Sequence, residues 1–132
     1  MKTTIVMATI LTILICLTAT VVTAGSSLET STIIPFYNAL KAGDLNKARS
    51  FVGGSVLARL DRNMKSNGNY PTFIKSHYQN RALSSVELDL ATHRKAVATI
   101  ALEGPQNTNE TIRWILEKQA NGKWLIVDEM QP

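Results

Sequence analysis

In the run Trp124-Leu125-Ile126-Val127-Asp128, strand alternation would place the carboxylate of Asp128 on the same face as Trp124 and Ile126, across from Trp114. A carboxylate held against two indoles is desolvated, its pKa rises, and it becomes a usable general base. The competing arrangement leaves Asp128 at the end of its strand, partly wet, accepting a hydrogen bond from a backbone or arginine donor. His77, followed by Tyr78, offers a second chemistry, in which an imidazole and a carboxylate exchange a proton. A histidine beside a tyrosine on a helix equally serves as a half-exposed packing residue. His93 stands next to Arg94-Lys95 and reads as part of a solvated turn.

Other reaction classes find little support. The two histidines lack His-x-x-x-His or carboxylate–His spacing, so no metal site is expected. Gly53-Gly54 is not followed by the Lys-Ser/Thr of a phosphate loop, and no serine sits in a nucleophile-elbow pattern. Asn109-Glu110-Thr111 fits a glycosylation sequon, relevant only to a eukaryotic secretory route. No cofactor is expected. The net charge of +4 is spread over scattered lysines and arginines without interleaved aromatics, which does not make the concentrated basic track of a nucleic-acid groove.

The N-terminus indicates export. Lys2 forms a short positive region, Ile5 to Leu17 is apolar, and Val22-Thr23-Ala24 presents small residues for cleavage after Ala24. The alternative is a retained anchor, because the apolar run to Val22 is just long enough to span a bilayer. Bulky Leu14 and Ile15 before Cys16 argue against lipidation. Cys16 is the only cysteine, so a cleaved chain has neither disulfides nor thiol chemistry. The expected organisation is a signal peptide over 1–24, a flexible leader over 25–30 and one domain over 31–132. Its location is periplasmic or secreted, touching a membrane only through an uncleaved N-terminus.

The elements that would position these residues follow from hydrophobic period. Ile33, Tyr37 and Leu40 repeat at helical spacing after Ser31 or Thr32, with Pro35 in the first turn and Gly43 as the stop. Asp44 caps a second helix (Leu45, Ala48, Phe51, Val52), and Ser55 starts a third with Val56, Leu57, Leu60 and Met64. A fourth, capped by Thr72, carries Phe73, Ile74, His77 and Tyr78. The period then changes to two. Val86, Leu88 and Leu90 mark a half-buried strand, and Arg94 to Glu103 a strand apolar on both faces, hence central or covered. Thr111 to Met130 reads as a hairpin. A three-residue loop, Ala120-Asn121-Gly122, puts Ile112, Trp114 and Leu116 on one face with Trp124, Ile126, Asp128 and Met130, and it supplies a glycine where a left-handed residue is needed. Helices followed by antiparallel strands give a two-layer α+β domain.

Three segments carry a resemblance. Phe36-Tyr37-Asn38-Ala39-Leu40-Lys41-Ala42-Gly43-Asp44, the helix start Asp44-x-x-Lys47-Ala48-Arg49, and Asn121-Gly122-Lys123-Trp124-Leu125-Ile126-Val127-Asp128 together resemble the nuclear transport factor 2-like (cystatin-like cone) superfamily, in particular its small exported bacterial members of unknown function. The resemblance implies N-terminal helices packed on a curved antiparallel sheet of about four strands, forming a cone with a pocket. It also implies that an enzyme of this kind would use a carboxylate base with a Tyr, Asp or His partner inside the cone. Members commonly dimerise through the outer sheet face, which here would present Val97, Thr99, Ala101, Ile115, Leu125 and Val127 among Arg113, Glu117, Lys123 and Glu129. Fold does not fix function. The leading expectation is a non-enzymatic exported binding or assembly module, homodimeric through that face. A second is a small-molecule enzyme or carrier of isomerase or dehydratase type for a small apolar ligand, with a pocket of Tyr37, Phe73, Tyr78, Trp114, Trp124 and Ile126 and with Asp128 and His77 as catalytic groups. A third is an envelope or secretion-complex subunit that keeps its N-terminal anchor.

Overall fold

The computed structural model describes residues 28–130; the expected signal segment lies outside them. Four helices precede a four-stranded antiparallel sheet of order β1-β2-β3-β4. This is the helices-on-sheet arrangement that the resemblance implies. A π-helical turn, Glu29–Ile33, runs into α1 (Ile34–Ala42), followed by α2 (Leu45–Arg49), α3 (Gly54–Ser66) and α4 (Tyr70–Tyr78). The strands are β1 (Ala82–Thr92), β2 (Lys95–Glu103), β3 (Glu110–Lys118) and β4 (Trp124–Met130).

Helix ends follow local chemistry where the sequence supplies it. Gly43 adopts φ +70 and closes α1, with Asp44 N–H donating back to the Ala39 carbonyl at 3.0 Å. The Asp44 side chain then caps α2 by accepting from Lys47 N–H at 3.1 Å. The helical segment opens earlier than Ser31. Leu28 is already helical and buried, so residues 28–30 belong to the domain and not to a free leader. Thr32 is buried too and donates to the Trp124 carbonyl at 3.0 Å, fastening the first turn to β4. α4 starts at Tyr70 with Pro71 in its first turn, and its Asn69 makes no side-chain cap.

The core lies between the helices and one sheet face. Ala96, Ala98, Ile100 and Leu102 of β2, Ile112, Trp114 and Leu116 of β3, and Ile126 of β4 meet Ile33, Phe36, Leu40, Ala48, Val56 and Leu60. β2 is central, as its apolar character on both faces predicts. Ala98 pairs with Trp114, so a small residue leaves room for the indole, which packs on Phe36 at 5.2 Å between ring centroids.

Candidate functional site

The β3–β4 hairpin has the predicted three-residue loop. Gln119 and Lys123 pair, Gly122 N–H donates to the Gln119 carbonyl at 2.9 Å, and Gly122 takes φ +83. Lys118 pairs with Trp124 and Leu116 with Ile126, so Trp114 and Trp124 look toward the same side of the sheet. Then the register slips. Ile115 pairs with Asp128 and Trp114 with Glu129, leaving Val127 as the extra residue of a β-bulge.

That single residue reverses the faces. Asp128 lies on the face away from the helices, exposed, and not beside the indoles. Its Oδ1 sits 2.9 Å from the Ser55 hydroxyl and accepts the Glu129 N–H at 2.9 Å. The proposed base is therefore a surface tie between β4 and α3. Met130 moves with it, opposite Arg113 on the outer face. Glu129, expected outside, turns inward instead. The cause is the chain before α3: Ile126 N–H donates to the Phe51 carbonyl, Gly53 N–H donates to the Ile126 carbonyl, and Val52 bridges Ile126 in parallel. A Cβ on Gly54 would lie 2.8 Å from the Val127 oxygen, so the 53–54 turn presses directly on the bulge.

On the helix side a small cavity of about 70 Å³ is walled by Phe36, Leu60, Tyr70, Ile74, Tyr78 and Trp114, with Arg59 and Glu129 also lining it. Arg59 Nη2 donates to Glu129 Oε2 at 2.6 Å. Burial, reinforced by the Glu129 carboxylate and Tyr70 and opposed by Arg81 and Arg59, pushes the Tyr78 phenol up to about 12. Tyr78 therefore keeps its proton at neutral pH. Burial raises Tyr37 as well, against the influence of Arg81. Periodicity expectations omit Arg59 and Tyr70 from this cavity and put Glu129 on the outer face. Tyr70 was legible, since Tyr70, Ile74 and Tyr78 form a helical stripe, and Arg59 adjoins Val56 and Leu60. Glu129 was not, because only the bulge turns it inward.

Of the expected pocket residues, Tyr78 and Trp114 line this space. Tyr37 is core, edge-on to Tyr78 at 6.0 Å, and its hydroxyl donates to the Arg81 carbonyl. Ile126 is fully buried. Trp124 faces a separate open recess with Leu28, Thr32, Lys118 and Lys123. Phe73 is 61% exposed and points to solvent, since the Tyr70/Ile74/Tyr78 stripe of α4 takes the core. His77 follows Phe73 on that outer stripe, with the two rings stacked at 6.4 Å.

His77 and Asp128 are not brought together. His77 Nε2 lies 3.6 Å from Glu110, which is ion-paired with Arg81. Partial burial, helped by the Arg81 guanidinium, holds the imidazole below its ordinary range, so at neutral pH it faces Glu110 uncharged. His93 is exposed in the β1–β2 turn. Among the described residues no group of three or more His, Cys, Asp or Glu is placed to hold a metal ion, and no helix is long and apolar enough to cross a membrane.

Val97, Thr99, Ala101, Ile115, Leu125 and Val127 are all half-buried. Val97 pairs with Ile115 and Thr99 with Arg113, and the Lys95–Glu117 pair beside them forms a 3.7 Å ion pair. An open groove of about 550 Å³ runs over Ile115, Leu125 and Val127, walled by Ser55, Lys95 and Glu117.

No protein-family model matches the sequence, and no curated protein matches it. Among solved structures the chain is similar to a Campylobacter jejuni protein described as a "Putative NTF2-like transpeptidase". The two share 15% sequence identity with a TM-score of 0.46, over 70% of this chain and 91% of that one. No residue role is carried across at that distance.

Proposed function

We propose that the chain is an exported, non-enzymatic binding and assembly module that associates with a second copy through the sheet face away from its helices. The observation that carries this reading is the small space left beneath Tyr70, Ile74 and Tyr78, together with the displacement of Asp128 from it. About 70 Å³ has room for only a couple of water molecules, whereas small-molecule sites run to roughly 300–1,000 Å³. With Asp128 on the opposite face, this space lacks both the room and the expected base.

The outer face supports contact with a partner. Its half-buried aliphatic floor is flanked by Lys95, Arg113, Glu117 and Asp128, an apolar centre with a charged rim. Export rests on the N-terminal signal pattern. Sedimentation equilibrium of the chain tests association, and Ile115→Lys is expected to convert the dimer to monomer with an unchanged far-ultraviolet spectrum. A monomer for the unsubstituted chain at high concentration overturns the reading. N-terminal sequencing of the exported protein tests the leader, with a start at Gly25 expected.

A further inference from the structure

The two edges of the sheet are treated differently. β4 is covered by residues 51–53, which take up its outward backbone groups at Ile126. Among the described residues, β1 ends the sheet on the other side and pairs only with β2. Every second N–H and C=O along this strand therefore points away from the sheet. β1 is also the longest strand, at eleven residues. Register shifts fall at Ser84 and Ala91, which leaves 85–90 as the regular stretch.

The side chains of that stretch divide by face. Val86, Leu88 and Leu90 pair with Ile100, Ala98 and Ala96, so they lie on the helix side, yet Leu90 is 61% exposed. Glu87 and Asp89 lie on the other face, exposed, and neither joins an ion pair among the described residues. We infer that β1 is a docking edge that takes an extended segment of another protein alternating apolar and basic residues. The segment would add as a fifth strand, its apolar side chains extending the row of Leu88 and Leu90 and its basic ones opposing Glu87 and Asp89. Pairing of β1 with the β1 of a second copy is disfavoured by charge, because it crowds two pairs of carboxylates along one seam.

The test is hydrogen exchange of the full chain with a synthetic peptide of alternating lysine and valine. A peptide of alternating glutamate and valine is the charge-reversed control. The lysine peptide is expected to slow exchange at 85–90 and the control to leave it unchanged. The double substitution Glu87→Lys, Asp89→Lys, at two exposed sites, is expected to weaken lysine-peptide binding roughly tenfold and to admit the control. Asp89→Asn alone, which asks less of the fold, should weaken binding a few-fold. Equal protection by both peptides, protection only on the outer face, or slowed exchange at 85–90 that depends on protein concentration without peptide would each overturn the inference. The same measurement on Ile115→Lys, in which outer-face association is expected to be lost, separates this inference from the dimer.

Discussion

Ile115 of β3 stands opposite Asp128 of β4, immediately beside the pair formed by Leu116 and Ile126. The partners of these two adjacent β3 residues lie two positions apart on β4, with Val127 between them, and the carboxylate thereby faces Ser55 and not the core. Replacing Asp128 by alanine removes acceptors for the Ser55 hydroxyl and the Glu129 N–H, at a cost of about 1 kcal/mol. Urea denaturation of Asp128→Ala, Ser55→Ala and the double variant checks this. The single effects should be non-additive, since the two side chains share one interaction.

Gly54→Ala is expected to be more damaging. Its φ of +51 disfavours a side chain, and the new Cβ would lie 2.8 Å from the Val127 carbonyl oxygen, a backbone atom with little freedom to yield. A loss of roughly 1–3 kcal/mol is expected. Amide exchange at Ile126, which donates to Phe51, should accelerate more than exchange at Ile100 in the sheet centre.

The two tryptophans share a side but not a depth. Trp114 is buried on Phe36, and Trp114→Ala should cost about 3–5 kcal/mol in thermal or urea unfolding. Trp124 is only half-buried, so Trp124→Ala should cost distinctly less. Equal losses would mean that the indoles contribute alike to the core.

Stability should fall in alkali. Tyr78 has an ordinary pKa of 10.0 and is pushed up to about 12 in the folded chain. Below pH 10 both states keep the proton and the stabilisation is complete; above it the unfolded chain ionises first. Stability is then lost with a slope approaching about 1.4 kcal/mol per pH unit until the folded phenol also titrates near pH 12. Tyr78→Phe should flatten this part of the profile. Tyr37, also raised by burial, acts in the same direction.

Much of the fold was legible because period and punctuation agree. Alternation in Ile112, Trp114 and Leu116, with Gly122 to turn the chain, suffices for the hairpin and the common side of its tryptophans. The helix junction at Gly43-Asp44 is similarly self-contained, since both caps are local. The candidate site was less legible. Alternation carried past Ile126 misplaces Asp128, Glu129 and Met130 together, because the bulge is imposed by Gly53-Gly54, more than seventy residues upstream. α4 is a subtler case. Both Tyr70/Ile74/Tyr78 and Phe73/His77 keep helical spacing, and periodicity alone does not say which stripe faces inward.

The closed flank at β4 and the bare one at β1 set a limit on stoichiometry. A strand-by-strand polymer needs two receptive margins on every subunit, one to receive and one to offer. Here the second margin is occupied by the molecule's own backbone, so lateral growth stops after one addition. Such a subunit terminates a ribbon and cannot propagate it.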